Sequence, residues 1–414
     1  MTSMTLDEFR AAMGFDDSAA AILAPIWEDA VASLPERIDF LEPEFLDRWA
    51  PAIGDSGILT DLQRVAERVR RDPALRLYAW ALHRGHLGTP LLDRIARLPA
   101  PERQLGPKAG LFTLLVYLAV YPAIAAKHRE LDLPQQYTDA LLTWPKGRIQ
   151  EYREFHDGVP GIGHGTYQWF RNYIDGKVFR VGRLEYMLHS APPWLPAIYR
   201  RKADGKLAVF ARDGWCFDAA GERAETGFRA ELRRENGTIT GTPIAPEGKA
   251  LVDRRLTIDL DEFEAVADPW ELLPSCHIPS GGGLTPEAVL DSLRRAREFF
   301  RRYFHQEVRL FCCRSWLLNP DWERELPDSN IAAFQRIGYL APGDPPDGVC
   351  GLVFVFTTPT VDYDRIPPKT ALHRAFKHLH DIGRPLRSGT MFLFADDLDR
   401  LAPGYYRDPE KYLC

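Results

Sequence analysis

Residues Leu272 to Phe300 read LLPSCHIPSGGGLTPEAVLDSLRRAREFF, in which an apolar run, three glycines and an amphipathic run follow one another. Its apolar start predicts a strand over Leu272–Ile278, and the three glycines that follow allow a sharp turn. Thr285 followed by proline is typical of a helix start, and apolar residues at three- and four-residue steps predict a helix over Pro286–Phe304. The unpaired amides and the positive dipole end of that helix point back at the turn. The turn is therefore suited to a phosphate group.

The turn consists of Ser280, Gly281, Gly282 and Gly283, and we call it the glycine turn. The glycines are explained equally well by the turn alone, and Glu287 in the first helical turn would repel a nearby anion. The G-x-G-x-x-G fingerprint and the Gly-Lys-Ser/Thr of a P-loop are both missing. This argues against a nicotinamide dehydrogenase and against an NTPase.

The composition is that of a folded protein with more than one core. The chain has 414 residues, of which 45% are hydrophobic and 27% charged, and its net charge is -6. A length of this size suits two domains, and the negative charge excludes a global electrostatic footprint for nucleic acid or an anionic membrane. The six cysteines form no Cys-x-x-Cys pair, and the N-terminal sequence does not have the pattern of a signal peptide. We therefore expect reduced thiols and a cytoplasmic location.

The pattern of the chain changes near Gly158. Residues 1–157 have helical periodicity and predict a helical N-terminal domain, which includes an uncharged stretch over Ala109–Ala126. That stretch approaches the length of a membrane span, but Pro122 interrupts it, so we expect a buried core helix. Residues 158–414 carry strand patterns and then alternate strands with helices, which predicts a mixed sheet with packed helices. The fold class is therefore α+β.

Several elements of the second domain are predicted from period and turn signals. The stretch Val178–Leu188 is predicted as one strand that carries Arg183 and Glu185 on the same face. Asn236-Gly237 between alternating apolar residues predicts a hairpin. The remaining predictions are strands over Val308–Leu318, Val349–Phe356 and Thr390–Phe394, and helices over Asn330–Ile337 and Lys369–Ile382.

Three segments of the second domain resemble one known family. These are His277–Phe300, FCCRSWLLNP over Phe311–Pro320, and LPDSNIAAFQRIGY over Leu326–Tyr339. They look like the GNAT-like acyltransferase-domain proteins, in which a helical N-acyltransferase N-terminal domain precedes a GNAT-like C-terminal domain. The resemblance implies a mixed sheet that splits at its central strand and holds acyl-CoA in the split. It further implies that the glycine turn binds the pyrophosphate and that Asn330, on the later helix, also contacts the cofactor.

The sequence departs from the wider superfamily at two places. The usual cofactor loop opens with Arg or Gln, whereas the glycine turn opens with Ser280. Many GNAT enzymes carry a tyrosine on the later helix that protonates the leaving thiolate. If that helix is aligned on Gly338, the position is Phe334, and Tyr339 lies close by but out of register.

Acyl transfer to an amine requires a base and groups that stabilise the oxyanion. His277 ends a strand beside the glycine turn, and an ordinary histidine pKa near 6.5 would suit proton transfer; a structural, backbone-bonded histidine is an equal reading. Glu185 is the second catalytic candidate and Arg183 a substrate contact, although a salt bridge between the two is a simpler explanation. Cys312 and Cys313 would allow a covalent route, but buried structural cysteines are favoured.

Two further groups, three histidines and three arginines, are interpreted as parts of solvent-exposed helix faces. His373, His378 and His380 lack the spacing and acidic partner of a zinc helix, so we predict no metal. The stripe Arg294, Arg297 and Arg301 could meet the CoA ribose phosphate, but a solvated face is favoured.

The sequence thus predicts an N-acyltransferase that uses acyl-CoA, with an acetyl or short acyl donor and an amine of a small molecule or peptide as acceptor. The alternative is a non-catalytic protein that binds CoA or a metabolite on a degenerate GNAT scaffold. Neither nucleic acid nor a membrane is expected as a partner.

Overall fold

The structure is a computed structural model that describes residues 4–87, 97–164, 167–190, 192–267, 271–356, 358, 360–365 and 368–414. The chain divides into two compact units, Met1–Phe179 and Arg180–Cys414. The predicted domain boundary at residue 157 lies upstream of this division, because the helix Tyr167–Ile174 belongs to the first unit.

The first unit is helical. Its first two helices begin with Thr5 and Asp16 as side-chain N-caps, and most helices of the unit present one apolar face to the core. The helices described are α1 (Leu6–Met13), α2 (Asp17–Ala32), α3 (Pro43–Trp49), α4 (Ile58–Arg71), α5 (Pro73–Leu87), α6 (Glu102–Leu105), α7 (Ala109–Leu118), α8 (Tyr121–Glu130), α9 (Gln135–Leu142), α10 (Pro145–Phe155) and α11 (Tyr167–Ile174).

The uncharged stretch forms the centre of this core. Every residue from 109 to 121 is buried, and α7 ends before Pro122, which occupies the start of α8. Among the described residues, Glu102–Glu130 is the one stretch long and apolar enough to cross a membrane, and 83% of its most apolar window is buried inside the protein. The predicted core helix is therefore confirmed, although the proline divides it into two helices.

The second unit is built on a six-stranded sheet with the order β1-β2-β13-β14-β16-β15. The central strands β13 and β14 run parallel, and the pairs β2–β13, β14–β16 and β15–β16 run antiparallel, so the predicted mixed sheet is confirmed. Four smaller sheets join the remaining strands: β12-β3-β4-β17, β11-β8-β7, β10-β9 and β5-β6. The strands are β1 (Val178–Val181), β2 (Leu184–Ser190), β3 (Ala197–Arg201), β4 (Leu207–Phe210), β5 (Cys216–Phe217), β6 (Phe228–Arg229), β7 (Leu232–Glu235), β8 (Thr238–Gly241), β9 (Ile244–Ala245), β10 (Lys249–Ala250), β11 (Leu256–Asp259), β12 (Phe263–Ala265), β13 (Leu272–His277), β14 (Leu310–Ser315), β15 (Tyr339–Pro342), β16 (Gly389–Phe394) and β17 (Tyr412–Leu413).

The helices of the second unit follow the strands of the large sheet. The longest of them buries Val289, Leu293, Ala296 and Phe300, which are the apolar residues at helical spacing. The helices described are α12 (Pro286–Phe304), α13 (Asp321–Glu325), α14 (Asn330–Gln335), α15 (Leu352–Phe356) and α16 (Ala371–Asp381).

Two predicted elements are wrong. The single strand over Val178–Leu188 is broken by a turn at Gly182, whose φ of +68° ends β1 before β2 begins. The apolar run Val349–Phe356 forms the short helix α15 instead of a strand, since periodicity alone cannot separate the two for a short apolar run. The two edge strands of the large sheet are β1 and β15.

Candidate active site

The glycine turn connects β13 to α12 as the sequence predicts. Gly281 and Gly282 have φ of +79° and +73°, which a side-chain-bearing residue rarely adopts. Thr285 is the N-cap of α12, and its Oγ1 accepts a hydrogen bond from the amide of Ala288 at 3.3 Å. The turn is exposed and the helix begins directly behind it, which leaves backbone amides available to an anion.

Arg183 lies against this turn. Its Nε donates to the carbonyl of Gly283 at 2.9 Å, and its Nη1 donates to the carbonyl of Pro279 at 2.9 Å. Its Nη2 lies 3.5 Å from the carbonyl oxygen of Gly282. The common strand face predicted for Arg183 and Glu185 is therefore wrong, because Arg183 occupies the turn between β1 and β2. Its assignment to the acceptor pocket stays a prediction.

A buried serine fixes α12 to the strand beside it. Ser292 is fully buried, and its Oγ accepts from the amide of Leu184 at 3.1 Å and lies 2.8 Å from the hydroxyl of Tyr186. The same Oγ donates to the carbonyl of Val181. A Cβ on Gly182 would lie 3.2 Å from the Cα of Ser292, so glycine allows both the turn and the close approach. The hairpin that carries Arg183 is thus anchored to the helix that follows the glycine turn.

The sheet opens between its two parallel strands at this end. The register pairs Ser275 with Cys312 and Cys276 with Cys313. β13 remains paired with β2 as far as His277, and β14 remains paired with β16 as far as Ser315. Past Cys276 and Cys313, β13 and β14 are no longer paired with each other, although β13 stays paired with β2 and β14 with β16.

His277 and Glu185 face each other beside this opening. They are direct partners in the β13–β2 register, so their side chains lie on the same face of the sheet. Glu185 is only 2% exposed. Burial and, to a smaller extent, the nearby His189 lower the pKa of His277 to about 4. The expected pKa near 6.5 is therefore wrong, and His277 is a neutral imidazole at pH 7.

Two polar residues on the same face were not found from the sequence. His189 follows Glu185 by four positions in β2, and Ser275 precedes His277 by two positions in β13, so both share the face of the candidate pair. Ser275 is 3% exposed, and burial lowers the pKa of His189. The period of two in these strands is the signal that could have identified them.

The cysteines beside the opening do not have the properties of a nucleophile. All six cysteines of the chain are free, and Cys276, Cys312 and Cys313 are buried. Burial raises the pKa of the Cys313 thiol to about 12 and that of Cys312 still higher. Thiolate is the reactive form, so a covalent acyl-cysteine route is disfavoured at neutral pH.

Three residues of the third family segment, Leu326–Tyr339, lie in different environments. Asn330 is exposed at the first position of α14, and its side chain makes no hydrogen bond within the described part of the chain. Phe334 is 1% exposed and helps to line a small apolar cavity with Cys276 and Cys313. The hydroxyl of Tyr339 donates to the carbonyl of Ile244, and burial raises its pKa well above the ordinary value. Tyr339 is therefore unsuited to donate a proton to a leaving thiolate.

The arginine stripe on α12 has acidic partners. Arg294 pairs with Asp399 at 3.0 Å and Arg297 with Asp396 at 3.0 Å, while Arg301 pairs with Glu298 in the same helix. These pairs reduce the charge that the stripe could offer to a ribose phosphate. Within the described residues no group of three or more His, Cys, Asp or Glu side chains is arranged to hold a metal ion.

Comparison with known proteins gives one family and several solved structures. A family model described as a GNAT-like C-terminal domain matches residues 178–392. An acyltransferase mutant in complex with octanoyl-CoA is 23% identical, with a TM-score of 0.60 over 94% of this chain and 99% of that chain. An acyltransferase in complex with decanoyl-CoA and teicoplanin is 22% identical, with a TM-score of 0.58 over 95% of this chain and 100% of that chain. A complex with CoA and 10C-teicoplanin is 22% identical, with a TM-score of 0.60 over the same shares.

At these identities the likeness establishes the fold, and it extends over both units of the chain. The comparison with curated proteins gives no significant match.

Proposed function

Because this chain belongs to the family with a GNAT-like C-terminal domain, we propose that it is an acyl-CoA-dependent N-acyltransferase. The observation that carries the proposal is the position of the glycine turn directly after β13, at the end where β13 and β14 separate. An anion site and an opening in the sheet thus follow the same strand. The pyrophosphate of CoA suits the anion site, and its narrow pantetheine arm suits the opening between the strands.

The residues of the turn fit the pyrophosphate. The Oγ of Ser280 is buried and has no hydrogen-bond partner within the described part of the chain. The guanidinium of Arg183 places a positive charge beside the same turn. An unsatisfied donor, free amides and a cation together favour a phosphate oxygen.

The chemistry proposed for the site is direct attack. The acceptor nitrogen bonds to the thioester carbonyl carbon, and the C–S bond breaks as the oxyanion collapses to an amide. The acceptor nitrogen gives one proton to the neutral imidazole of His277, and the CoA thiolate takes up one proton from the site or solvent. Glu185, opposite His277, stabilises the imidazolium that forms.

The acyl group that the site takes is inferred from an apolar surface at the end of β14. Trp316 follows this strand, and its ring stacks on that of Phe354 at 6.4 Å between centroids. Val353 and Phe354 are about half exposed. This surface supports a medium-chain acyl group in place of the acetyl or short acyl group expected from the sequence. Structures of similar fold hold octanoyl-CoA and decanoyl-CoA.

The acceptor is proposed as an amine of a small molecule or peptide. One structure of similar fold contains the glycopeptide teicoplanin beside decanoyl-CoA, so glycopeptide amines belong in any acceptor panel with amino acids, polyamines and short peptides. We also propose a cytoplasmic location, which agrees with six free cysteines.

The test is release of free CoA thiol from acetyl-, octanoyl- and decanoyl-CoA in the presence of that panel. The proposal requires amine-dependent release with at least one acceptor, an amide product of matching mass, and faster turnover of octanoyl-CoA than of acetyl-CoA. If no amine accelerates thiol release with any donor although CoA binds, the proposal is wrong.

Those last results would support the second candidate, a non-catalytic protein that binds CoA. The observation that favours it is Phe334, which has no hydroxyl at the position where many GNAT enzymes carry the proton donor. Replacement of Phe334 by Tyr separates the two candidates. An enzyme with another proton donor keeps its rate within a few-fold, whereas amine-dependent thiol release that appears only in Phe334→Tyr would identify a degenerate site.

A further inference from the structure

Arg183 holds the glycine turn from outside the strand–turn–helix unit. It is far from the turn in sequence, yet its guanidinium contacts the carbonyl oxygens of Pro279, Gly282 and Gly283. The planar guanidinium carries five N–H donors in a fixed arrangement, so one side chain can bind several carbonyls at once. Its hairpin is itself anchored to α12 through Ser292.

The direction of these carbonyls determines the direction of the neighbouring amides. The described peptide bonds are all trans, and in a trans peptide the C=O and the N–H of the next residue point in opposite directions. Three carbonyls directed at Arg183 therefore turn the amides of Ser280, Gly283 and Leu284 away from it. Within the described part of the chain these amides donate to no backbone acceptor. Amides that leave a turn on one side form a concave site for an anion.

We propose that Arg183 is the positioning residue of the acyl-CoA site: it orients the backbone amides of the glycine turn toward the CoA pyrophosphate. This inference rests on the proposed function. It accounts for the missing Arg or Gln at the start of the cofactor loop, because a residue of the neighbouring hairpin orients the turn instead. Gly281 and Gly282 have positive φ angles, and the carbonyls of Pro279, Gly282 and Gly283 on either side of them all contact the guanidinium.

The experiment compares two thioester donors with the same acyl group. Octanoyl-CoA contains the pyrophosphate, whereas octanoyl-N-acetylcysteamine ends before it. The quantity compared is kcat/KM for octanoyl-CoA divided by kcat/KM for octanoyl-N-acetylcysteamine. Arg183→Ala in the full chain is expected to lower this ratio about 10-fold, mostly through a higher KM for octanoyl-CoA. A residue that only supports the fold would lower both values alike and leave the ratio unchanged.

Arg183→Lys separates geometry from charge. Lysine keeps the positive charge but replaces the planar guanidinium with a single ammonium group. The kcat/KM ratio of the two donors is therefore expected to stay at least 3-fold below that of the unchanged protein. Full recovery with lysine would overturn the positioning role, because charge alone would then suffice. Arg295→Ala on α12 is the matched control, since it removes the same charge from an exposed ion pair with Asp291 and should leave the ratio unchanged.

The outcome separates this inference from the function on which it rests. If the unchanged protein releases thiol from octanoyl-CoA and Arg183→Ala keeps the same donor ratio, Arg183 has no role in positioning. If the unchanged protein neither binds octanoyl-CoA nor turns over either donor, the proposed function itself is wrong and the inference is overturned with it.

Discussion

His277 and Glu185 lie opposite each other beside the end of β13–β14 pairing, and their roles can be separated from cofactor binding. His277→Gln removes the proposed base and is expected to lower kcat about 100-fold or more. The affinity for CoA should change less than twofold, because the glycine turn is not altered. Fixed-time assays of thiol release measure kcat, and isothermal titration calorimetry measures the affinity for CoA. His380→Gln, on the exposed face of α16, is the control. Normal turnover in His277→Gln would exclude this base.

The pH dependence of turnover follows from the burial of His277. Its pKa is lowered to about 4, so the imidazole is neutral above that value and becomes protonated only as the pH falls through it. With an acceptor amine of low pKa, kcat/KM should remain constant from pH 7 to about pH 5 and then fall. A decline centred near pH 6.5 that disappears in His277→Gln would contradict the lowered pKa of His277.

At the scale of single residues the sequence could place His277 but not its environment. The strand length and the glycine turn fix its position, whereas its pKa depends on β2 and on His189, which lie far away in sequence. Arg183 shows the same limit. One positive φ at Gly182 ends the strand, and the alternation that put Arg183 beside Glu185 no longer applies.

Among the elements, α12 joins the fold to the proposed cofactor site. Thr285→Ala removes its N-cap hydrogen bond and is expected to lower the free energy of unfolding by about 1 kcal/mol. It should also weaken CoA binding, because the first turn of the helix borders the anion site. Thr370→Ala removes the equivalent cap of α16 and is the matched control. Urea unfolding and titration with CoA should show equal destabilisation in both variants but weaker binding only in Thr285→Ala. Equal binding in the two variants would exclude a role of this helix end.

The elements that could be predicted have several local signals that agree. α12 has a capping threonine, a proline at its first position and a helical apolar period, and its predicted bounds are those observed. The hairpin at Asn236-Gly237 likewise has both residues at positive φ, as its turn requires. The run Val349–Phe356 has only its apolar character, which is compatible with either a strand or a helix.

At the level of the complete chain, four histidines with lowered pKa predict acid sensitivity. Burial lowers the pKa of His83 and His128 to about 4 and that of His86 and His164 to about 3, all in the first unit. The unfolded chain binds protons near pH 6.5, so stability is present above that pH and is lost as the pH falls toward 4. Each histidine contributes a slope of about 1.4 kcal/mol per pH unit within this window.

Urea unfolding between pH 7.5 and 5 measures this dependence. The unfolding transition of the first unit should move to lower urea concentration as the pH falls. His86→Gln should reduce the pH dependence of the unfolding free energy by the contribution of about one proton. Equal stability at pH 7.5 and pH 5 would contradict the buried, neutral state of these histidines.

The helical first unit and the mixed sheet of the second unit both follow from periodicity, and the resemblance adds the order of the motifs. The family match over residues 178–392 agrees with that resemblance. The acceptor does not follow from the sequence, because it depends on the shape of a pocket formed by residues far apart in the chain.

Thermal melting with octanoyl-CoA tests whether the glycine turn binds acyl-CoA. Ligand at about 100 times its Kd should stabilise the unchanged protein by about 2.7 kcal/mol, seen as a higher Tm. Gly282→Asp places a carboxylate at the turn, so its own Tm should rise much less on addition of the same ligand. The absence of a shift at millimolar octanoyl-CoA, or an equal shift in Gly282→Asp, would show that the glycine turn does not bind acyl-CoA.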